Sequence, residues 1–190
     1  MATLFVDKVD PQSGTSLEIG SSGDTITIPS GATITNNGTQ TGFGGTNTPA
    51  FEAFLSSDTS QLSNDTDTKI VFDTEIHDTN STYDVSNGRF TPAVAGTYLI
   101  YGSIIFDDSN ADLNAEHIVK IFKNGSQDSV FFHLPNMKDS IITYNITYVL
   151  DDNDYIEIFG KINNSDGARI INGAAANQKG TTFGAFKIIT

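Results

Sequence analysis

Cysteine is absent from this 190-residue chain, proline occurs only five times, and bases are few: 10 Lys and Arg stand against 23 Asp and Glu, a formal charge of −13. Without cysteine there are no disulfides and no thiolate metal sites, so stability has to come from packing or from association. Lys8 is the only base before Lys69. A nucleic-acid partner needs clustered Lys and Arg to neutralise phosphates, and this chain has no such cluster. An anionic membrane surface would repel it as well. No apolar run reaches the ~18 residues that mark a candidate membrane-spanning helix, so no membrane insertion is expected. The opening MATLFVDKVD lacks the basic and apolar regions of a secretory signal, which predicts synthesis in a cytoplasm.

Good helix formers are scarce too. Lys and Glu are few while Thr, Ser, Asn and Gly are abundant, and no stretch sustains a helical apolar period, so the chain reads as almost purely β. From Ala50 onward, short strand-like runs alternate with turn residues: 51–56, 68–73, 89–91, 97–106, 117–123, 130–134, 140–150, 155–161, 168–171 and 181–189. Asn87-Gly88 and Asn124-Gly125 readily adopt the positive φ that tight hairpin turns demand. About eight to ten strands at this spacing predict a two-sheet sandwich or jelly roll.

Two of these runs lack the wet face that an antiparallel strand commonly shows. Tyr98, Ile100, Gly102, Ile104 and Phe106 point one way, and Leu99, Tyr101, Ser103 and Ile105 the other. In 140–150, Ile142, Tyr144, Ile146 and Tyr148 oppose Ile141, Thr143, Asn145, Thr147 and Val149. One face of each run can line the sandwich core. The other meets either a second subunit or a loop or N-terminal segment of its own chain. Each apolar side chain buried there contributes about 1.5–3 kcal/mol. Tyr98, Ile100, Tyr101, Ile104, Ile142, Tyr144 and Tyr148, with Phe183 and Phe186 of the closing run, are the candidate core or trimer-interface residues, with the two roles unassigned.

The first part of the chain behaves differently. Leu17 and Ile19, Ile26 and Ile28, and Ala32 and Ile34 sit at alternate positions between corners of Gly, Ser, Asp and Pro. Each piece is too short to form a sheet alone. The segment reads either as a low-complexity linker or as a β-solenoid-like shaft in which three chains share a narrow apolar core. The alternating Ile and Leu favour the shaft. GFGGTNTP is punctuation and serves as a hinge. The expected organisation is a docking segment over 1–16, a β-rich shaft and hinge over 17–49, and a head over 50–190.

Within the head, Phe51 and Phe54; Val71, Phe72 and Asp73; Tyr83, Asp84, Asn87, Gly88, Phe90, Gly96 and Tyr98; Lys123, Asn124 and Gly125; Asp154, Ile156 and Ile158; and Phe183, Gly184, Ala185 and Phe186 follow one another in a specific order and spacing. This pattern resembles the globular head of complement one-q and its relatives, a branch of the tumour-necrosis-factor-like jelly rolls. The resemblance covers 50–190 and implies a ten-stranded jelly roll assembling as a homotrimer about a three-fold axis. DPQSGTSLEIGSSGDTITIPSGATI separately resembles the openings of structural proteins of aquatic bacteriophages. Together they imply a virion surface protein, made in the host cytoplasm: a trimeric fibre or spike whose head attaches to a host-surface glycan or protein while the N-terminal segment docks on capsid or tail proteins. The alternatives are a capsid-decorating trimer that coats or stabilises the shell and, from another class, a secreted lectin-like recognition module.

Catalytic patterns are missing. There is no G-x-S-x-G, H-E-x-x-H or P-loop, and a polysaccharide depolymerase would need paired carboxylates on a far longer β-helix. His77, His117 and His133 are scattered and read as ordinary strand or loop residues. The chain is expected to be no enzyme and to require no cofactor. Asp107, Asp108 and Asp112 after the long strand, and Asp152 in a later loop, are hard oxygen ligands that make calcium a candidate. An EF-hand is excluded, because Leu113 replaces the turn Gly and Val119 the closing Glu. A solvated acidic loop is the simpler reading of these residues.

Overall fold

The computed structural model describes residues 9–38, 47–108, 115–133, 139–164, 167–174 and 180–188, with only the backbone at 132 and 133. The chain divides into two units, residues 1–43 and 44–190. In the first unit the described residues form no strand and are exposed almost throughout; Leu17, Ile19, Ile26, Ile28 and Ile34 are 43–65% exposed. Two isolated turns, Asp24 N–H to Ser21 C=O at 2.9 Å and Ala32 N–H to Pro29 C=O at 3.1 Å, mark the corners read from the sequence. Among the described residues of 17–49, the expected β-rich shaft forms no strand within one chain. Its short pieces have no second strand to pair with.

The second unit is all-β. Its described strands are β1 Ala50–Phe54, β2 Thr68–Lys69, β3 Thr74–Asp78, β4 Tyr83–Asp84, β5 Arg89–Phe90, β6 Gly96–Asp108, β7 Glu116–Lys123, β8 Ser126–His133, β9 Asp139–Leu150, β10 Ile156–Asn163, β11 Arg169–Ile171 and β12 Thr182–Lys187. Two antiparallel sheets form. In the first, β9 lines one edge of β6, while β12 and then β11 line the other, followed by β1 and β3. In the second the order is β4-β5-β10-β7-β8, with β2 also on β10. β3 and β4 were not anticipated. Thr-Glu-Ile-His-Asp has little apolar character to signal a strand, and β4 is only two residues long, so neighbouring strands define both.

The long strands are explained by their inward sets. Tyr98, Ile100, Ile104 and Phe106 of β6 are fully buried, as are Val119 and Ile121 of β7 and Ile156, Ile158 and Ile162 of β10. At one part of this core the rings interlock. Phe51 stacks on Tyr83 at 4.7 Å and on Phe90 at 4.8 Å and meets Phe183 edge-on at 4.9 Å; Phe72 lies 5.5 Å from Phe183 and Phe90 5.7 Å from Tyr98. The Tyr83 hydroxyl donates to Phe72 C=O at 3.0 Å and accepts from its N–H at 3.2 Å, and the Tyr98 hydroxyl donates to Val94 C=O at 2.6 Å, so both phenol oxygens of this cluster are satisfied.

Asn124 and Gly125 close the β7–β8 hairpin as a two-residue turn with φ of 53° and 77°. That conformation costs Gly nothing and Asn little. The Asn124 side chain then donates to Asp154 Oδ1 at 2.6 Å and accepts from Tyr155 N–H at 2.9 Å, tying this turn to the loop before β10. Lys123, 2.8 Å from Asp154, is the first cause of a lowered carboxyl pKa, to about 2, with Asn124 and Asp151 N–H adding to it. A carboxyl depressed in the folded state stabilises it above the ordinary carboxylate range, and that contribution is lost as pH falls towards about 2. Denaturant titrations at pH 5 and pH 2.5 should show a smaller acid-induced loss of stability in Asp154→Asn than in wild type. Equal losses would contradict it.

Candidate functional site

Alternation along β6 and β9 leaves a second set of side chains on the outer face of the first sheet. Register places them in rows: Thr147, Leu99, Phe186 and Ala50; then Asn145, Tyr101, Gly184, Glu52 and His77; then Thr143, Ser103, Thr182, Phe54 and Thr74; then Ile141 and Ile105. Ile141 is 64% and Val149 74% exposed, while Leu99, Tyr101, Ser103 and Ile105 are half-buried. Gly184 is required here. A Cβ at that position would lie 2.5 Å from Tyr101 Cζ, so the missing side chain is the slot over which the Tyr101 ring lies, 6.1 Å from Phe186. Burial first, and the Glu52 carboxylate second, raise the Tyr101 hydroxyl pKa.

The edges of the two sheets are not equivalent. Sheet edges are normally blunted by charge, proline, bulges or shortness, because an open row of N–H and C=O groups recruits other chains. β3 carries Glu75 and His77 and a bulge opposite Glu52 and Ala53. β8 carries Asp128, and the ladder beside it shifts between Ile121 and Phe122. β9 runs for 12 residues with a regular ladder and no Lys, Arg or Pro, and its outward side chains are Ile141, Thr143, Asn145, Thr147 and Val149. Among the described edge strands it alone is long, flat, uncharged along its middle and apolar at both ends of its outer face.

The outer face of the second sheet differs in charge. It carries Lys69, Arg89, Lys120 and Lys161, four of the chain's 10 bases, with Lys123 at the end of β7 in register with the inward-facing Ile156. Each is already matched. Glu157 Oε1, only 5% exposed, receives Arg89 Nη2 at 3.0 Å and Lys69 Nζ at 3.2 Å; Lys120 meets Asp67 at 2.7 Å, Lys123 meets Asp154, and Lys161 meets Asp65. Arg89 also lies 3.8 Å above the Tyr155 ring. The outer face of the first sheet has no Lys or Arg among the described residues.

A buried polar group joins the sheets at the end of β6. Asn164 Nδ2 donates to both oxygens of Asp108 at 2.6 and 2.7 Å, His117 Nε2 lies 3.6 Å from Asp108, and Ser140 Oγ is 2.6 Å from His117 Nδ1. All four residues are buried, and His117 stacks on Phe106. Serine, histidine and aspartate meet here, but without access for a substrate; the arrangement pins two strand ends of each sheet together. Nothing in the spacing of these four residues revealed it, since they come from β6, β7, β9 and the end of β10.

The structure sorts the predicted residues. Tyr98, Ile100, Ile104, Ile142, Tyr144, Tyr148 and Phe183 line the core, whereas Tyr101 and Phe186 lie on the outer face with Ile105, Ile141 and Val149. The candidate calcium ligands among the described residues do not converge within one chain. Asp107 pairs with Asp139 at one end of the β6–β9 ladder and Asp152 follows its other end, where Gly96 pairs with Leu150, roughly 36 Å away at strand rise. Asp108 is turned inward to Asn164, and Asp112 lies outside the described residues. Among the described residues no group of three or more His, Cys, Asp or Glu is placed to hold a metal. His77 lies on the edge strand β3, and the His133 side chain is outside the described residues.

Comparison with known proteins agrees with this arrangement of strands. The globular domain of zebrafish complement 1qA superposes with a TM-score of 0.54 at 16% identity, over 74% of this chain and 97% of that one. Murine APRIL at pH 8.0 gives 0.50 at 12% identity and at pH 5.0 gives 0.51 at 14%, each over 73% of this chain and 98% of the other. At such identities these likenesses establish the fold alone. No curated protein sequence matches the chain. The C1q domain profile matches residues 50–187, which include both sheets and all the ring contacts of the core, and the chain belongs to the C1q domain family.

Proposed function

We propose that this protein is a non-enzymatic, homotrimeric surface protein of a phage virion, whose jelly-roll head attaches to a host or other surface and whose N-terminal segment docks on the particle. The observation that carries the assembly is β9: a 12-residue unblunted edge whose outer face leaves Ile141 and Val149 64% and 74% exposed. Three-fold association through this face covers β9 and the half-buried Leu99, Tyr101, Ile105 and Phe186 with it. It leaves the ion-paired outer face of the second sheet turned to solvent. Membership of the C1q domain family supports a recognition role without chemistry, and three linked heads add avidity to weak individual contacts.

The N-terminal unit supports the three-chain shaft of this reading. Its Leu and Ile are exposed at alternate positions between turns, and three parallel copies brought together by the head supply the partners that one chain lacks. Mass measurement in solution tests the assembly: a trimer is expected at micromolar concentration, and a stable monomer overturns it. Electron microscopy of intact particles with labelled protein tests the location. Density projecting from the tail or a vertex supports the fibre, a regular lattice on the shell would show decoration instead, and absence from particles overturns the virion role in favour of a free recognition module.

A further inference from the structure

The polar row of the outer face combines the groups of a proton-linked contact. Glu52 of β1 is half-buried before any partner arrives, and the cross-strand residue on the same face is His77 of β3. On its other side Gly184 lets Tyr101 approach, close enough for Glu52 to act on the Tyr101 hydroxyl. The remaining charged groups near this pair are few. Glu75 pairs with the core residue Ala53 across the bulge and so lies off this row, and Asp78 is turned to Thr82 and Tyr83, accepting their N–H groups at 3.0 and 2.9 Å. Lys187, at the end of β12, is in register with the inward-facing Tyr98 and lies against Gly96, and β6, β9 and β12 bring no Lys or Arg to the face among the described residues. Asp107 and Asp139, the other carboxylates of the face, are three rows and about 20 Å away along β6.

Covering this row with the β9 edge of a neighbouring subunit strips water from the Glu52 carboxylate without supplying a cation, since β9 carries no Lys or Arg. The imidazole opposite is the group that can answer. We propose that assembly through this face takes up a proton on His77, which neutralises Glu52 across the β1–β3 ladder, so that the trimer tightens as pH falls. This rests on the assembly reading above. The sign follows from linkage. A histidine that holds its proton more firmly in the assembled state contributes stability fully present below its free-subunit titration and lost as pH rises through the assembled one. Imidazole titrates near pH ~6.5 in water, so the window lies between about pH 5.5 and 8.

The test is subunit exchange and dissociation on dilution of the full chain at pH 5.5 and pH 8.0, at constant ionic strength and with chelator present so that adventitious divalent cations play no part. The wild-type trimer is expected to dissociate about tenfold or more readily at pH 8.0, the factor for one unit of proton-affinity change per subunit. Glu52→Gln should be as tight at pH 8.0 as wild type at pH 5.5 and should show no pH dependence. His77→Asn should be weak at both. A wild-type trimer equally tight at both values, or a pH dependence that survives His77→Asn, overturns the proton linkage and leaves the assembly intact. A monomer at every pH overturns the assembly reading and this inference with it.

Discussion

Phe51→Ala is expected to destabilise the head by about 3–5 kcal/mol, a large part of the total stability of a domain of this size. Phe51 is fully buried and contacts Tyr83, Phe90 and Phe183 within 4.9 Å, so truncation removes ring contacts on several sides and leaves a cavity that three rigid aromatics cannot close. Its position adds to the effect. β1 joins β12 to β3 in the first sheet, while Tyr83 and Phe90 belong to the second, so the ring couples both layers. Chemical denaturation followed by far-ultraviolet circular dichroism measures the loss. A change below about 1 kcal/mol would mean that the cluster repacks and is not the keystone that its geometry indicates. The milder Phe51→Leu, which keeps most of the volume, should lose less and serves as the folded comparator if the alanine variant does not fold.

The double substitution Ile141→Asp with Val149→Asp is expected to abolish trimer formation while leaving the fold of each subunit unchanged. Both side chains point away from the sandwich and are 64% and 74% exposed within the chain, so neither contributes to its core. Buried against a neighbour, each would contribute about 1.5–3 kcal/mol. Losing both weakens association by about a thousandfold at the middle of that range, and the added carboxylates on a face already carrying Glu52, Asp107 and Asp139 oppose it further. Sedimentation together with circular dichroism separates the two outcomes. A variant that remains trimeric with native spectra would place the contact elsewhere, and a variant that unfolds would show that the two positions serve the subunit itself. The comparable change on the second sheet, Val130→Asp, should leave the trimer intact, because β8 is blunted by Asp128 and an irregular ladder.

The motif that carried the family resemblance has a structural role in this fold. Phe51, Phe72, Tyr83, Phe90, Tyr98 and Phe183 are scattered over more than 130 residues, yet they form one ring cluster. Asn124 and Asp154, from two separate pieces of the pattern, hydrogen-bond to each other. The recognisable residues therefore maintain the fold, which is why they revealed the fold and left any ligand unspecified. The groups around His117 were illegible for the complementary reason. Asp108, Ser140 and Asn164 are ordinary polar residues in sequence, and only the pairing of β6 with β9 and of β7 with β10 brings them within hydrogen-bonding distance.

The sequence by itself determined the class of fold, the turn at Asn124-Gly125 and the two alternating sets of β6 and β9, because helix propensity, positive φ and a period of two are local properties of the chain. It also showed that both sets of β6 were largely apolar. It could not assign them, since alternation is symmetric: exchanging inside for outside changes nothing in the pattern. The tertiary structure decided that assignment by closing the second sheet over Tyr98, Ile100, Ile104 and Phe106. That closure turned Leu99, Tyr101 and Ile105, and with them Ile141 and Val149 of β9, towards whatever meets the outer face. Likewise, only the β1–β3 register placed Glu52 opposite His77. Residues 25 positions apart have no local signal of contact, and their pairing is set by the bulge and by the strands on either side.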